Sequence, residues 1–186
     1  MKVTLRRLEA DDSAMIYAWR TSREVAQWMV SDGPIPREDH AKWFAESLID
    51  GPTRVRIVSC GDVDCGVLSW TAESNFTFSF GIYVVRSLTP VKRVGSAALF
   101  ILLRHLFEEA NAQVVRAEVL VENGRAIKTY ESLGFSRELG LMRRVLRQVG
   151  MSDIMEMRIC RNTWENYSPI VERELSTRGL VDEPGE

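Results

Sequence analysis

Residues 122–135 read ENGRAIKTYESLGF and follow the apolar run VVRAEVLV at residues 114–121. The pattern predicts a strand that ends at an asparagine, a short helix, and an extended segment that begins after Gly134. Asparagine is a common residue at a helix start, and glycine is a common residue just past a helix end. Packing explains this much, but it requires neither Asn123 nor Tyr130 at those positions.

Asn123 and Tyr130 are seven residues apart, which is nearly two turns of an α-helix. Their side chains therefore project to the same side of the predicted helix if both positions are helical or nearly so. Two interpretations fit this spacing from the residues alone. One is a capping asparagine with a half-buried tyrosine, and the other is a pair of side chains that face a common ligand.

The elements around this unit predict an α/β fold with a mixed sheet and helices between its strands. Alternation of apolar residues over 76–84 indicates a strong strand, with Gly81 on its opposite face. An apolar stripe over 95–110 indicates an amphipathic helix. Further strands are predicted at residues 3–6, 54–59, 65–71, 114–121 and 154–159, and further helices at 11–29 with a break, 37–48 and 124–133. We expect one domain over residues 1–162 and a partly disordered tail over residues 163–186.

Composition excludes several classes of function. The net charge of −2 gives no basic footprint for nucleic acid, and a solvated loop or an anion contact accounts for the local cluster Arg143, Arg144 and Arg147. Cys60, Cys65 and Cys160 form no metal-binding pattern, so buried free thiols in a reducing cytoplasm are expected, with no metal. No apolar run approaches a membrane span and the first residues do not resemble a signal peptide, which predicts a cytoplasmic protein without membrane contact.

A second segment, VKRVGSA at residues 91–97, lies between the aromatic strand and the amphipathic helix. Small residues there let backbone N–H groups approach a ligand, and a helix N-terminus favours negative charge. Lys92 adds a cation. The segment is compatible with a pyrophosphate cradle or with a plain helix start, and it matches no Walker or dinucleotide-binding glycine motif.

Together the two segments resemble the GCN5-related N-acetyltransferases (GNAT). The shared order is an aromatic strand, Lys-x-x-Gly-x-Ala, an amphipathic helix, a strand, and Asn-x-Arg-Ala-Ile-x-x-Tyr-Glu-x-x-Gly-Phe. The resemblance implies a mixed, mostly antiparallel sheet flanked by helices and acetyl-coenzyme A as co-substrate. It implies that Asn123 contacts the pantetheine side and that Tyr130 protonates the leaving thiolate. The full set of cofactor contacts that it implies is Ile82, Val84, Lys92, Arg93, Val94, Gly95, Ser96, Ala97, Asn123, Ala126 and Tyr130. The family usually has Gln or Arg where Lys92 stands, and often Gly where Ala97 stands.

The N-terminal half is similar to one subgroup of that family, through Trp19-Arg20, Gln27-Trp28-Met29 and the stretch EDHAKWF at residues 38–44. The subgroup includes the acetyltransferase that acts on the 4-amino group of a UDP-linked 4-amino-4,6-dideoxy sugar during pseudaminic-acid synthesis. This implies a small-molecule amine as partner, carried on a nucleotide. A homodimer is compatible with the sequence but nothing in it demands one.

Candidate acceptor-binding residues are Trp19, Arg20, His40 and Trp43. The planar guanidinium of Arg20 matches a diphosphate or a carboxylate, although a surface ion pair is the alternative. His40 is a candidate general base because its ordinary pKa is close to neutral, and a packed helix histidine is the alternative. Glu38, Asp39 or an ordered water are other candidates for the base.

The sequence thus predicts direct acetyl transfer from acetyl-coenzyme A to a primary amine. The tyrosine hydroxyl, with an ordinary pKa near 10, suits donation to a thiolate. Other acceptors remain open, namely a protein N-terminus, a polyamine or an antibiotic. A non-catalytic sensor that binds coenzyme A is the alternative from another functional class.

Overall fold

The computed structural model describes residues 1–49, 51–148 and 150–182. In chain order its strands are β1 (Val3–Arg7), β2 (Thr53–Cys60), β3 (Val63–Ala72), β4 (Thr77–Val84), β5 (Val114–Leu120), β6 (Ser136–Arg147) and β7 (Gly150–Cys160). Its α-helices are α1 (Ser13–Thr21), α2 (Arg23–Ala26), α3 (Arg37–Ser47), α4 (Val94–Arg104), α5 (Gly124–Glu131) and α6 (Arg161–Thr177). Short 3₁₀ turns lie at Ala10–Asp12 and Arg86–Leu88, and a π-helical turn at His105–Glu109 extends α4.

Within the described residues the strands form one sheet in the order β1-β2-β3-β4-β5-β7-β6. Each neighbouring pair is antiparallel except β4 and β5, which run parallel. This arrangement confirms the predicted mixed, mostly antiparallel sheet. The parallel pair at the centre matters most, because two neighbouring strands that run in the same direction place their C-terminal ends side by side.

Helices cover both faces of the sheet. Alternate residues of each strand point to opposite faces, so β4 contributes Phe78 and Phe80 to a core shared with α4, α5 and α6. On the other face, Ile16, Val25 and Phe44 of α1, α2 and α3 pack against β2 and β3. The predicted break in the first helix is confirmed at Ser22, whose backbone is extended.

The C-terminal segment, for which a partly disordered tail is predicted, forms a packed helix and turn in its described part, through residue 182. Helix α6 begins at Arg161, and its Trp164 stacks on Phe107 with ring centroids 5.5 Å apart. Leu180 is 2 % exposed, and its carbonyl accepts a hydrogen bond from the N–H of Val3 at 2.8 Å. The segment is ordered through residue 182 because its apolar side chains complete the core. Residues 183–186 lie outside the described residues.

The arginine cluster near residue 145 differs from expectation, since it lies in strand β6 and not in a loop. Arg143 pairs with Glu118 of β5 at 2.7 Å, and Arg144 pairs with Asp153 of β7 at 2.9 Å. Arg143 and Arg144 are therefore each paired with a carboxylate on another strand of the sheet.

The cysteines are free, but only two are buried. Cys60 and Cys65 are enclosed in the core, as predicted, whereas Cys160 is exposed at the end of β7. Burial raises the pKa of the Cys65 thiol to about 11, which keeps it protonated and unreactive at neutral pH.

No helix in the described part of the chain combines the length and apolar character needed to cross a membrane. The same residues contain no group of three or more His, Cys, Asp or Glu side chains arranged to hold a metal ion.

Candidate active site

A gap opens between the two parallel strands at the centre of the sheet. Strands β4 and β5 pair only from Thr77 to Ser79, opposite Val114 to Arg116, although both strands continue beyond that point. Strands that separate in this way leave backbone groups without sheet partners. Strand β4 therefore separates from β5 beyond Ser79.

The backbone groups that face this gap belong to the even-numbered residues of β4. The N–H of Val85 donates to Cys65 of β3 at 2.7 Å, whereas the carbonyl of Phe76 accepts from the N–H of Gln113 at the start of β5. Because strand backbone groups alternate in direction, Ile82 and Val84 present their N–H and C=O groups toward the gap. These two residues can offer hydrogen bonds to an extended ligand.

Strand β3 approaches β4 closely beside this gap. A Cβ on Gly66 would lie 2.5 Å from the carbonyl oxygen of Tyr83, which is closer than carbon and oxygen atoms can approach. Only glycine permits this pairing. The close packing fixes the position of the β4 segment that borders the gap.

The gap is the centre of a cleft of about 1590 Å³. Its walls include both strand ends, the loop from residue 86 to residue 96, the start of α5, and side chains of α1, α2 and α3. Pockets for one small ligand usually occupy about 300–1,000 Å³. The cleft is thus large enough for a long ligand in the gap together with a second ligand beside it.

At one end of the cleft, helix α4 begins with backbone N–H groups that have no partner within the helix. The first hydrogen bond inside α4 runs from the N–H of Ala97 to the carbonyl of Arg93 at 3.0 Å. The N–H groups of Val94, Gly95 and Ser96 therefore have no carbonyl within the helix to bond. Arg93 has φ of 71°, a left-handed conformation that is unusual for a residue with a side chain. A left-handed residue before a helix start can direct successive N–H groups to one side, a geometry that is compatible with binding of an anion.

The cleft wall includes every predicted residue of this segment but one. Residues 92–96 line the cleft, whereas Ala97 is fully buried and its N–H is used within the helix. The structure thus does not place Ala97 in ligand contact, because it is already one residue inside the helix. The side chain of Arg93 turns away to pair with Glu174 of α6 at 3.0 Å. The neighbouring cation, Lys92, is exposed at the surface of the loop.

Asn123 caps α5, as one of the two interpretations of its spacing predicted, and it also lies on the cleft wall. Its side-chain oxygen accepts a hydrogen bond from the N–H of Ala126 at 3.1 Å and so caps α5. The side-chain NH₂ group carries two donors that this cap does not use. Asn123 and Ala126 both line the cleft, so the capped helix presents an oriented amide to a ligand.

Tyr130 lies seven residues further along α5, on the same side, as the spacing predicted. Its ring is 6 % exposed and packs edge-on against Phe80 of β4, with centroids 5.4 Å apart, and beside Phe135 at 5.7 Å. Burial raises the pKa of the Tyr130 hydroxyl well above its usual value. The side chain reaches the cleft wall as a neutral proton donor.

At the other end of the cleft, helices α1 and α3 supply a chamber. Arg20, His40 and Trp43 line it, whereas Trp19 is 8 % exposed and packs into the core formed by α1, α2 and α3. The structure therefore does not place Trp19 at the cleft, because its side chain projects about 100° around α1 from that of Arg20 and packs into the core. Trp28, at the end of α2, lines the chamber in its place.

The chemistry of His40 suits a neutral base more than a cation. The ring lies edge-on to Tyr17 at 5.0 Å between centroids, and its Nε2 atom has no hydrogen-bond partner among the described residues. Burial, and then the charge of Arg37, lower the pKa of His40 below its usual value. His40 is thus uncharged at neutral pH and able to accept a proton.

Sequence patterns did not single out two further polar residues of the cleft, Tyr83 and Glu24. Tyr83 of β4 points to the face opposite Phe80, and its hydroxyl is buried without a partner among the described residues. The carboxylate of Glu24 accepts hydrogen bonds from the N–H of Arg86 at 2.6 Å and from the hydroxyl of Ser87 at 2.9 Å. Alternation along residues 76–84 predicts the direction of Tyr83, but no local pattern reveals the contact of Glu24 with a loop 62 residues away.

Comparison with known proteins gives one family and several similar folds. The family described as the acetyltransferase (GNAT) domain matches residues 2–136. The acetyltransferase PseH of Campylobacter jejuni is 22% identical over 129 residues, which cover 69% of this chain and 80% of that protein.

Two solved structures extend the similarity to the fold. The spermidine N-acetyltransferase of Vibrio cholerae, in complex with CoA and spermine, has a TM-score of 0.78 at 19% identity and covers 89% of this chain and 99% of its own. The structure of AAC(6')-Ib with ribostamycin and coenzyme A has a TM-score of 0.72 at 19% identity, and the match covers 89% of this chain and 97% of that one. At these identities the similarity shows a shared fold.

Proposed function

Because the chain belongs to the acetyltransferase (GNAT) family and is an acetyl-CoA-dependent N-acetyltransferase, we propose that its acceptor is the 4-amino group of a nucleotide-linked amino-deoxy sugar. The observation that carries this proposal is the state of Arg20 on the acceptor wall. Its Nη2 donates to the carbonyl of Ser31 at 2.6 Å, and no carboxylate among the described residues lies within ion-pair distance of it. A partly buried cation with incomplete pairing favours an acceptor that brings an anion.

The N-terminal half supports the same acceptor. The residues that resemble the amino-sugar subgroup lie on α1, on α3 and just after α2, and Arg20, Trp28, His40 and Trp43 are among those that line the cleft. The similarity to the acetyltransferase PseH spans 129 residues of this chain. Aromatic walls formed by Trp28 and Trp43 suit the flat faces of a sugar or a base.

The residues of the cleft fit acetyl-coenzyme A as the co-substrate. The N–H groups of Val94, Gly95 and Ser96 suit its pyrophosphate, and the unpaired backbone of Ile82 and Val84 suits the amide groups of its pantetheine arm. When bound, the co-substrate supplies an acetyl thioester. Asn123 lies on the opposite wall of the gap, with its side-chain NH₂ group available to the same arm.

The chain's own groups can then carry each proton. A backbone N–H of β4 in the gap can donate to the thioester oxygen as negative charge develops on it. His40, neutral at pH 7, can accept the proton that the amine loses on attack, directly or through water. The hydroxyl of Tyr130 can give its proton to the sulfur as the carbon–sulfur bond breaks.

A polyamine or aminoglycoside acceptor has one specific observation in its favour. The sheet floor of the chamber carries Glu73, Glu118 and Glu156, which would attract a polycation. These carboxylates already lie in ion pairs, however, since Arg116 pairs with both Glu73 and Glu156 and Arg143 pairs with Glu118, which offsets two of the three negative charges. The paired floor and the incompletely paired Arg20 together favour an acceptor that carries both an amine and an anion.

The proposal is tested by thiol release from acetyl-coenzyme A with a panel of acceptors. The panel contains a UDP-linked 4-amino-4,6-dideoxy sugar, the same sugar without its nucleotide, spermidine, an aminoglycoside and an N-terminal peptide. We expect kcat/KM for the nucleotide-linked sugar to exceed that of every other acceptor by at least about 100-fold, the scale of two or three additional polar contacts. A higher kcat/KM for spermidine, the aminoglycoside or the peptide would refute the proposed acceptor. Binding of coenzyme A without turnover of any of them would favour a sensor.

A separate prediction concerns the loop that leads from β4 to the α4 N-terminus. Glu24 of α2 holds the start of this loop through the N–H of Arg86 and the hydroxyl of Ser87. We expect Glu24→Ala to raise KM for acetyl-coenzyme A about tenfold, because hydrogen bonds to a charged group that position the loop are lost. Steady-state kinetics with acetyl-coenzyme A as the varied substrate measures this effect.

Glu46→Ala is the matched control for that experiment. Glu46 is an exposed carboxylate on α3, outside the cleft wall, and its removal changes the net charge by the same amount. Its KM for acetyl-coenzyme A should stay within about twofold of the unchanged chain, as for most surface substitutions. An equal rise in both variants would mean that net charge, and not the tie to the loop, governs binding.

A further inference from the structure

The hydroxyl of Tyr83 is a polar group of the cleft wall that the reaction steps above do not use. Its side chain lies on the face of β4 that packs against α1 and α2, with Ile16 and Val25 among its apolar neighbours. The hydroxyl is enclosed and has no hydrogen-bond partner among the described residues. A buried hydroxyl without a partner is unfavourable, and such an atom in a cleft is explained when a ligand supplies the partner.

Arg20 lies close to this hydroxyl on the same wall. Burial lowers the pKa of Arg20, while nearby Tyr83 and Asp32 act in the opposite direction. The guanidinium is therefore partly desolvated, and its neighbours offset only part of the effect of burial on its pKa. Burial likewise raises the pKa of Tyr83, and the charge of Arg20 offsets part of that effect. The phenol therefore keeps its proton, and the arginine keeps its charge.

We propose that the Tyr83 hydroxyl and the Arg20 guanidinium together bind a phosphate oxygen of the acceptor. This inference rests on the proposed function, whose nucleotide-linked acceptor carries such an oxygen. A guanidinium has N–H donors and no acceptor, and a protonated phenol can add one O–H donor. The charge of the guanidinium and the O–H donor of the phenol together suit an oxygen-rich, anionic group of the ligand.

The position of this pair assigns it to the acceptor and not to acetyl-coenzyme A. Tyr83 and Arg20 lie with α1 and α2 on one face of the sheet, whereas α4, whose first N–H groups form the other anion site, packs on the opposite face. The cleft thus has two separate sites for anions, one for each substrate. Tyr83 acts as a specificity residue that tells a phosphate-linked sugar from the free sugar.

Binding of UDP to the full chain saturated with coenzyme A tests this inference by calorimetry. Saturation with coenzyme A occupies the site at α4, so that UDP reports on the second site alone. We expect Arg20→Met to weaken UDP binding at least about 30-fold and Tyr83→Phe about tenfold, as for loss of a charged and of a single hydrogen bond. Uridine, which lacks phosphate, should bind both variants and the unchanged chain with the same affinity.

Lys42→Met provides the matched control, because Lys42 is an exposed cation on α3 that is outside the cleft wall. Its UDP affinity should stay within about twofold of the unchanged chain. Equal UDP affinity in the unchanged chain and Tyr83→Phe would overturn the role of Tyr83, as would absence of UDP binding to the unchanged chain.

Turnover separates this inference from the proposed function. UDP affinity that depends on Tyr83, in a chain whose preferred acceptor proves to be spermidine or a peptide, supports the anion subsite while the proposed acceptor fails. Turnover of the nucleotide-linked sugar with unchanged kcat/KM in Tyr83→Phe supports the proposed acceptor while the subsite fails.

Discussion

Tyr130→Phe is expected to lower kcat by at least about 100-fold, which is the lower end of the contribution of a positioned general acid. The substitution removes the hydroxyl that can protonate the departing thiolate. The ring that packs against Phe80 and Phe135 is kept. KM for acetyl-coenzyme A should therefore stay within about threefold, because an effect on kcat alone marks an interaction made only in the transition state.

The measurement is steady-state thiol release, together with calorimetric binding of coenzyme A to show that the cleft is intact. Tyr167→Phe is the matched control, because it removes the hydroxyl of a half-exposed tyrosine on α6 that does not line the cleft. Unchanged kcat in Tyr130→Phe would contradict the proposed role. It would mean that the thiolate departs without a proton from Tyr130.

The pH profile supplies a second check on the same residue. Burial raises the pKa of Tyr130, so the proton donor is present at neutral pH and remains present as pH rises to its ordinary pKa near 10. The kcat of the unchanged chain should therefore show no alkaline decline below that pH. A decline between pH 7 and 9 that disappears in Tyr130→Phe would show that this hydroxyl loses its proton too early to serve as the acid.

Local patterns in the sequence were sufficient for the parts of the site that lie within single elements. The spacing of Asn123 and Tyr130 is a property of one helix, and both line the cleft as that spacing predicted. The small residues after Lys92 predicted a helix start with exposed donors. Ala97 was wrongly included among the ligand contacts, because a pattern locates a helix boundary only to within a residue or two.

Contacts between distant elements could not be predicted from local patterns. Trp19 and Arg20 are adjacent, yet one is buried and the other lines the cleft, because helix rotation is set by packing against the sheet. Glu24 reaches a loop after β4 only because α2 packs beside that strand end. The packing of the C-terminal helix is a further such contact, because Trp164 and Leu175 place its apolar side against the core.

Arg147 is a further example, because the sequence indicated a solvated charge and the structure shows a buried one. Its side chain is 5% exposed and pairs with Asp32, which is 9% exposed, at 3.4 Å. Arg147 also donates to the carbonyl of Gln27 at 2.8 Å, and Asp32 accepts from the N–H of Gln148 at 3.0 Å. The end of β6 is thus fastened to the segment after α2 that carries Trp28.

Arg147→Ala is expected to lower the free energy of unfolding by about 3–5 kcal/mol, because it leaves the carboxylate of Asp32 buried without its cation. For a chain of this length the melting temperature should fall by roughly 10 °C. Thermal and urea unfolding measure both quantities. Arg144→Ala is the control on the same strand, since its pair with Asp153 is exposed and is expected to contribute at most about 1 kcal/mol.

The double variant Asp32→Asn with Arg147→Met distinguishes a lost pair from a lost side chain. It removes both charges and keeps similar volumes, so its destabilisation should be smaller than the sum of the two single variants. Below the melting temperature, Arg147→Ala should also raise KM for the acceptor more than KM for acetyl-coenzyme A, because Gln27 and Trp28 border the chamber and not the α4 end of the cleft. Destabilisation equal to that of Arg144→Ala would mean that water reaches the Arg147–Asp32 pair. The end of β6 would then not depend on this pair for its position.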